Sequence, residues 1–246
     1  MALTFIPNAL TIARCGLAFV SAFAVLAGEQ LSRRLDGAVA AWQAAGGPPP
    51  GSPGYPDLLS SLTPGDLLLW PAIAFATFLV AALTDLLDGV FARALDAHSD
   101  FGAWLDPIAD KLLIGLGFSA LAMTTRSLWL IIPAAVIITR DAYITWLRAR
   151  QSNGLGLPVA KAAKWKTGVE MLALGLLLGL PILAAISHDV MVSGAISPSQ
   201  MSLIAIIAER AGLALTWIAA VLSAWTGFGY WRTAQRGPSA LTETFE

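Results

Sequence analysis

Asp85-Leu-Leu-Asp88-Gly89-Val-Phe-Ala92-Arg93 is followed, after eight residues, by Gly102-Ala-Trp-Leu-Asp106-Pro-Ile-Ala-Asp110, with apolar runs on both sides of the pair. Ionised side chains in apolar, membrane-length surroundings are costly and as a rule functional. If both halves are helical, Asp85, Asp88, Gly89, Ala92 and Arg93 share one stripe at i, i+3, i+4, i+7 and i+8. Gly102, Asp106 and Asp110 make a second stripe at i, i+4 and i+8. Two helices then aim four carboxylates into one cavity.

The rest of the chain sets the solvent in which those charges sit. Its residues are 57% hydrophobic and 13% charged, with a mean hydropathy of +0.70, against about 25% charged in a soluble domain. The composition requires an integral membrane protein. Apolar runs at Ala9–Gly28, Leu67–Thr84, Phe101–Thr124, Leu128–Leu147, Thr167–Ser187 and Ala211–Trp231 each approach the ~20 residues a spanning helix needs. The expected fold is all-α, a single membrane domain over residues 1–246 with six transmembrane helices. Met201–Ala208 is too short to cross alone and reads as an outer extension of the last helix.

Cytoplasmic connections carry the excess of Lys and Arg. With the N-terminus inside, Arg148, Arg150, Lys161, Lys164 and Lys166 fall in the fourth-to-fifth connection, Arg93 in the second-to-third, and Arg232 and Arg236 after the last span. Arg33, Arg34, Arg126 and Arg210 lie outside. The carboxylate stripes then face the cytoplasm. The net charge of −1 hides this asymmetry, and no nucleic-acid partner is expected.

Residues 29–66 form the one break in composition, centred on Gly46-Gly-Pro-Pro-Pro-Gly-Ser-Pro-Gly54. A run of this kind cannot hold a helix, and the segment reads as an external loop insertion, with a short surface helix over Arg33–Ala45. Residues 237–246 read as a flexible tail. Cys15 has no partner for an internal disulfide and reads as a packing residue. The first apolar run lacks preceding positive residues and is interrupted by Arg14, so it reads as an uncleaved helix despite Ala-Val-Leu-Ala-Gly near its end.

Four carboxylates without an adjacent His or Cys suit a hard cation such as Mg²⁺ or Mn²⁺ and disfavour zinc or copper. Two such ions about 3.5–4 Å apart can activate an attacking oxygen and stabilise a leaving one in phosphoryl transfer. Gly89, Ala92 and Gly102 leave room for a bulky ligand beside the backbone, and the planar cation of Arg93 suits phosphate. One Asp near a membrane surface would read as a helix cap. Four on two stripes with an Arg and two glycines favour the functional reading, whereas Asp96 and Asp100 keep the reading of loop residues or a cap.

Asp85-x2-Asp88-Gly89-x2-Ala92-Arg93-x8-Gly102-x3-Asp106-x3-Asp110 resembles, at every fixed position, the motif of the CDP-alcohol phosphotransferase family. Pro7-Asn8-Ala-Leu-Thr11-Ile-Ala-Arg14 looks like that family's N-terminal segment. Arg140 and Lys164-Trp-Lys166-Thr167 resemble later basic positions of its phosphatidylglycerolphosphate synthase branch, while Arg140-Asp141 and Thr84-Asp85-Leu-Leu-Asp88-Gly89 look more like eukaryotic-type cardiolipin synthases. The resemblance implies a six-helix enzyme, typically homodimeric, that displaces CMP from CDP-diacylglycerol with a hydroxyl nucleophile and two divalent ions. It implies metal ligands at Asp85, Asp88, Asp106 and Asp110, with Asp110 also the general base. It places the CDP pocket at Gly89, Ala92, Arg93 and Gly102, with Asn8, Thr11 and Arg14 toward the pyrophosphate.

The acceptor site is expected at Arg140, Lys164 and Lys166. Lys164 and Lys166 sit at the mouth of the fifth helix, and a charge within the fourth apolar run, as at Arg140, needs a partner. Asp141 is a candidate partner for Arg140, although neighbours on a helix point about 100° apart, and Glu170 lies one turn beyond Lys166. Two cations suit a dianionic phosphomonoester, so glycerol 3-phosphate, giving phosphatidylglycerol phosphate, is the first-choice acceptor. Phosphatidylglycerol, giving cardiolipin, is the alternative. A cation or proton transporter also uses intramembrane carboxylates, but it does not need Gly89, Ala92 and Arg93 at these offsets. Trp70, Trp104, Trp129, Trp146, Trp165 and Trp231 read as an interfacial belt, His98 as solvated, and His188 as having no role.

Overall fold

Proline or glycine lies in the connections 45–63, 151–160 and 193–197, whereas residues 96–99 and 126–127, which also separate helices, contain neither. The computed structural model describes residues 2–48, 52, 64–95, 100–150, 161–192 and 197–236. Within them the side chains of 2–8, 64–66, 86–95, 100–107, 147–150, 161–164, 187–192, 198, 201 and 233–236 fall outside the description. The elements are α1 (Ala2–Ala44), α2 (Pro64–Leu95), α3 (Asp100–Thr125), α4 (Leu128–Arg150), α5 (Lys161–Val192) and α6 (Pro198–Arg236). Among the described residues there is no strand, and six helices are long and apolar enough to cross a membrane. Each expected span falls inside one of them, and Met201–Ala208 lies in the first part of α6.

One expectation is corrected. The helix expected over Arg33–Ala45 is not a separate surface helix after a loop: residues 29–44 continue the first span as part of α1. Glu29, Gln30, Leu31, Arg33, Arg34, Leu35 and the four alanines within residues 38–44 are strong helix formers, and Arg33 Nε donates to Glu29 Oε1 at 2.5 Å across one turn. A shift from apolar to polar composition marks where the helix leaves the bilayer, not where it ends. At about 1.5 Å per residue, the 43 residues of α1 reach roughly 65 Å, about twice the hydrocarbon thickness. The helix stops at the glycine pair. Gly46 adopts φ +78°, Gly46 N–H donates to Gln43 O and Gly47 N–H to Trp42 O, both at 3.0 Å. These are the paired bonds of a Schellman cap, which favours glycine because the left-handed residue must lack a Cβ. The remainder of the expected insertion, apart from Pro48, Ser52 and the start of α2, lies outside the described residues, as does the expected 237–246 tail.

The outer surface differs from that of a water-soluble bundle, being apolar like the core, and several polar side chains are buried. Phe19, Phe23, Val80, Ile207, Val221 and Trp225 are exposed, whereas Thr11, Arg14, Ser21, Lys166, Glu170, Thr216 and Ser223 are buried. Lipid accepts the first set at no cost, and the second set finds its partners inside. Among the described residues α1 packs along both α2 and α3, far more than these two pack on each other; α6 packs on α5 and α4, and α2 meets α5. Small residues let these axes approach. Ala18, Ser21 and Ala22 line one face of α1, and Ser21 Oγ donates to Ala74 O of α2 at 2.9 Å. Phe118, Leu113, Ile137 and Leu174 fill the centre. The two-residue turn between α3 and α4 places Arg126 at φ 50°, and Arg33 from the extended part of α1 donates to Thr124 O at 3.2 Å.

Candidate active site

The wedge position of α1 decides how the two carboxylate stripes meet. Arg14 is 1% exposed and projects between α2 and α3, where its Nη1 lies 2.8 Å from Asp85 Oδ1 and 2.9 Å from Asp110 Oδ1. Two separate helices thus present carboxylates to one nitrogen. The side chains of Asp85 and Asp110 remain 33% and 37% exposed, so each carboxylate is held from the buried side and open on another. One positive charge faces two negative ones, and these hard oxygen donors fit Mg²⁺ or Mn²⁺. Among the described residues no group of three acidic, His or Cys side chains gathers. Asp88, Gly89, Ala92, Arg93, Gly102 and Asp106 all lie on helical backbone of α2 or α3, as the stripe pattern requires, and their side chains fall outside the description.

A second polar cluster ties α4, α5 and α6 together. Asp141 Oδ1 accepts from Arg140 Nη1 at 2.8 Å and from Lys166 Nζ at 2.5 Å. Lys166 Nζ also lies 3.2 Å from Glu170 Oε1, which accepts from Ser223 Oγ at 3.2 Å. Arg140 Nη2 donates to Thr226 Oγ1 at 2.9 Å, and its guanidinium lies 5.8 Å from the Tyr230 ring centroid. Gly227 makes room for Arg140: a Cβ there would lie 3.0 Å from Arg140 Cγ. The partner of Arg140 is therefore its neighbour Asp141, because a long Arg side chain spans the angle between adjacent positions and Lys166 anchors the same oxygen.

Between α3 and α4 lies a largely apolar pocket of ≈ 490 Å³, lined by Ile108, Leu112, Gly115 and Ile138 among others, with Lys111, Asp141 and Thr145 as its polar wall. Lys111 donates to Thr145 Oγ1 and lies 3.5 Å from Asp141 O. It thereby links the residue next to Asp110 with the second cluster.

The structure brings Arg14 together with Asp85 and Asp110, and Arg140 with Lys166. Thr11 is buried one turn before Arg14; Asn8 and Lys164 lie on α1 and α5 with side chains outside the description. Sequence reasoning missed Lys111, Thr145, Ser223 and Thr226. Lys111, a cation inside an apolar run beside Asp110, was visible as a signal. Ser223 and Thr226 were not, since hydroxyls are ordinary in spanning helices. Of the expected interfacial tryptophans, Trp129, Trp146, Trp165 and Trp231 are exposed, and Trp70 packs edge-on against Phe23.

Residues 67–225 match the family model described as CDP-alcohol phosphatidyltransferase. The chain belongs to that family. The matched segment contains both stripes, Arg140 and Lys166, while α1 precedes it. Three relatives carry the name CDP-diacylglycerol–glycerol-3-phosphate 3-phosphatidyltransferase. The Cereibacter sphaeroides protein is 35% identical over 178 residues, 65% of this chain and 80% of that one. The Escherichia coli protein is 34% identical over 169 residues, 67% of this chain and 80% of that one. The Pseudomonas fluorescens protein is 42% identical over 112 residues, 44% of this chain and 57% of that one. No solved structure matches this chain.

Proposed function

We propose that this membrane enzyme transfers the phosphatidyl group of CDP-diacylglycerol to glycerol 3-phosphate, releasing CMP. The observation that carries the reading is the meeting of Asp85 and Asp110, from separate helices, on one buried cation. It brings the two ends of the family's carboxylate motif to one place. Relatives at 32–42% identity bear the name of this activity.

Asp85, Asp88, Asp106 and Asp110 would hold two Mg²⁺ or Mn²⁺ ions, which when bound supply charge neutralisation at the diphosphate. Gly89, Ala92, Arg93 and Gly102 shape the nucleotide pocket in this reading, with Asn8 and Thr11 toward its pyrophosphate. Asp110 takes the proton from the acceptor hydroxyl as that oxygen bonds to the phosphorus bearing the diacylglycerol. The bond from that phosphorus to CMP breaks, and CMP leaves with the electron pair. Arg140 and Lys166, with Lys164, receive the phosphate of the acceptor; Asp141 and Glu170 keep the first two cations neutralised until it arrives. The active site faces the cytoplasm, on the Lys and Arg asymmetry of the connections. The family resemblance extends the reading to a homodimer.

Purified protein supplied with CDP-diacylglycerol and one acceptor at a time tests this. Metal-dependent CMP release with glycerol 3-phosphate is expected. Release with phosphatidylglycerol but not glycerol 3-phosphate would replace the acceptor, and no release with either would remove the reaction.

A further inference from the structure

Arg14 occupies a place that a nucleotide-binding residue alone would not need. It is 1% exposed, it comes from α1, and a single nitrogen contacts Oδ1 of Asp85 on α2 and Oδ1 of Asp110 on α3. Among the described residues α2 and α3 each pack far more extensively on α1 than on one another. The separation and orientation of the two carboxylates therefore depend on the helix between them. Two like charges brought together repel, and a buried guanidinium offsets that repulsion while fixing one oxygen of each. About a third of each Asp side chain remains exposed, so the clamp does not close the pair off.

We propose that Arg14 is a positioning residue for the cation site: it pins Asp85 and Asp110 from beneath and so sets the geometry in which they bind a divalent ion. The proposal rests on the metal-ligand reading above but assigns Arg14 to the carboxylates in place of the pyrophosphate. The two roles predict opposite effects on metal binding without nucleotide. Removing a cation whose only influence is its charge strengthens binding of another cation nearby. Removing an orienting partner weakens it, by about ten-fold or more for partners that hold a metal ligand in place.

The test is Mn²⁺ titration of purified Arg14→Gln and Arg14→Lys, read by the paramagnetic signal of free Mn²⁺, with no lipid substrate or CMP present. Arg14→Gln should bind Mn²⁺ about ten-fold or more weakly. Arg14→Lys keeps the charge beneath the carboxylates and should fall between Gln and wild type. Because Lys preserves the buried charge, it carries the test if Arg14→Gln does not fold. Unchanged or tighter Mn²⁺ binding in the folded variant would overturn the proposal. So would a defect confined to the KM for CDP-diacylglycerol, which is the mark of a diphosphate contact. Wild-type protein that binds no Mn²⁺ would overturn the proposal together with the metal-ligand reading; wild type that binds while the variants match it would overturn only the role of Arg14.

Discussion

Arg140 and Lys166 meet on one oxygen. Asp141 Oδ1 lies 2.8 Å from the first and 2.5 Å from the second, and Glu170 adds a second anion 3.2 Å from Lys166. The cluster is charge-balanced, with two cations against two carboxylates; Lys166 and Glu170 are buried at 3% and 1% exposure, and the Arg140 and Asp141 side chains remain partly exposed at 11% and 14%. Apolar packing would stabilise three helices at least as well, since a buried ion pair seldom outperforms its apolar replacement. A balanced cluster at the end of the expected acceptor site is what a protein needs if it must keep cations buried for a phosphate.

Lys166→Met leaves Asp141 and Glu170 facing one cation, Arg140, and should destabilise the protein by about 3–5 kcal/mol. Adding Glu170→Gln restores one cation to one anion and should recover part of that loss. Thermal unfolding in detergent of the two single variants and the double variant measures the coupling, and additive losses would show that Lys166 and Glu170 do not interact. In the double variant the KM for glycerol 3-phosphate should rise while that for CDP-diacylglycerol holds. An unchanged acceptor KM would leave Lys166 with a structural role only.

Gly227→Ala probes Arg140 without touching its charge. The new Cβ would stand 3.0 Å from Arg140 Cγ, so the side chain must shift by a few tenths of an ångström and loosen its 2.9 Å bond to Thr226. The acceptor KM should increase several-fold with little change in unfolding temperature. Gly229→Ala is the control, because a Cβ there meets nothing within 4 Å. Equal effects of both substitutions would indicate a general disturbance of α6.

The reach of the sequence differs between these features for physical reasons. Helical period placed Asp85, Asp88, Asp106 and Asp110 on two stripes because that spacing is local, and the backbone of α2 and α3 bears it out. The contact of Arg14 with Asp85 and Asp110 was not legible. It depends on which helix lies between α2 and α3, and no single helix's periodicity encodes its neighbours. The expected helix over Arg33–Ala45 is present, but its continuity with the first span through residues 29–32 is not legible from a shift to polar composition, because Ala, Glu, Arg and Leu are good helix formers whether lipid or water surrounds them.

The extension of α1 sharpens a topological expectation. A cysteine at Gly51 and another at Gln151, each in protein whose Cys15 is replaced by Ala, should react with an impermeant thiol reagent from opposite sides of sealed membranes, Gly51 from outside. The excess of Lys and Arg between α4 and α5 is the ground for expecting the second position inside. Labelling of both from one side would break the six-span arrangement and move the carboxylates away from the cytoplasm.

Asp85→Asn, Asp88→Asn and Asp106→Asn should each abolish CMP release while the protein still elutes as a folded particle, since Asn removes a ligand charge at nearly constant volume. Near-normal release by one of them at ordinary Mg²⁺ would strike that residue from the ligand set. Asp110→Asn separates two roles. A general base contributes about 10²–10⁴-fold to rate, so turnover should fall by at least that order, and by more than affinity for CDP-diacylglycerol. Because Asp85 and Asp110 both pair with Arg14, at 2.8 and 2.9 Å, these two variants need their unfolding temperatures measured alongside: for Asp110→Asn a folded protein with lost turnover and retained donor binding supports the base, whereas equal loss of binding and turnover reassigns Asp110 to holding the donor.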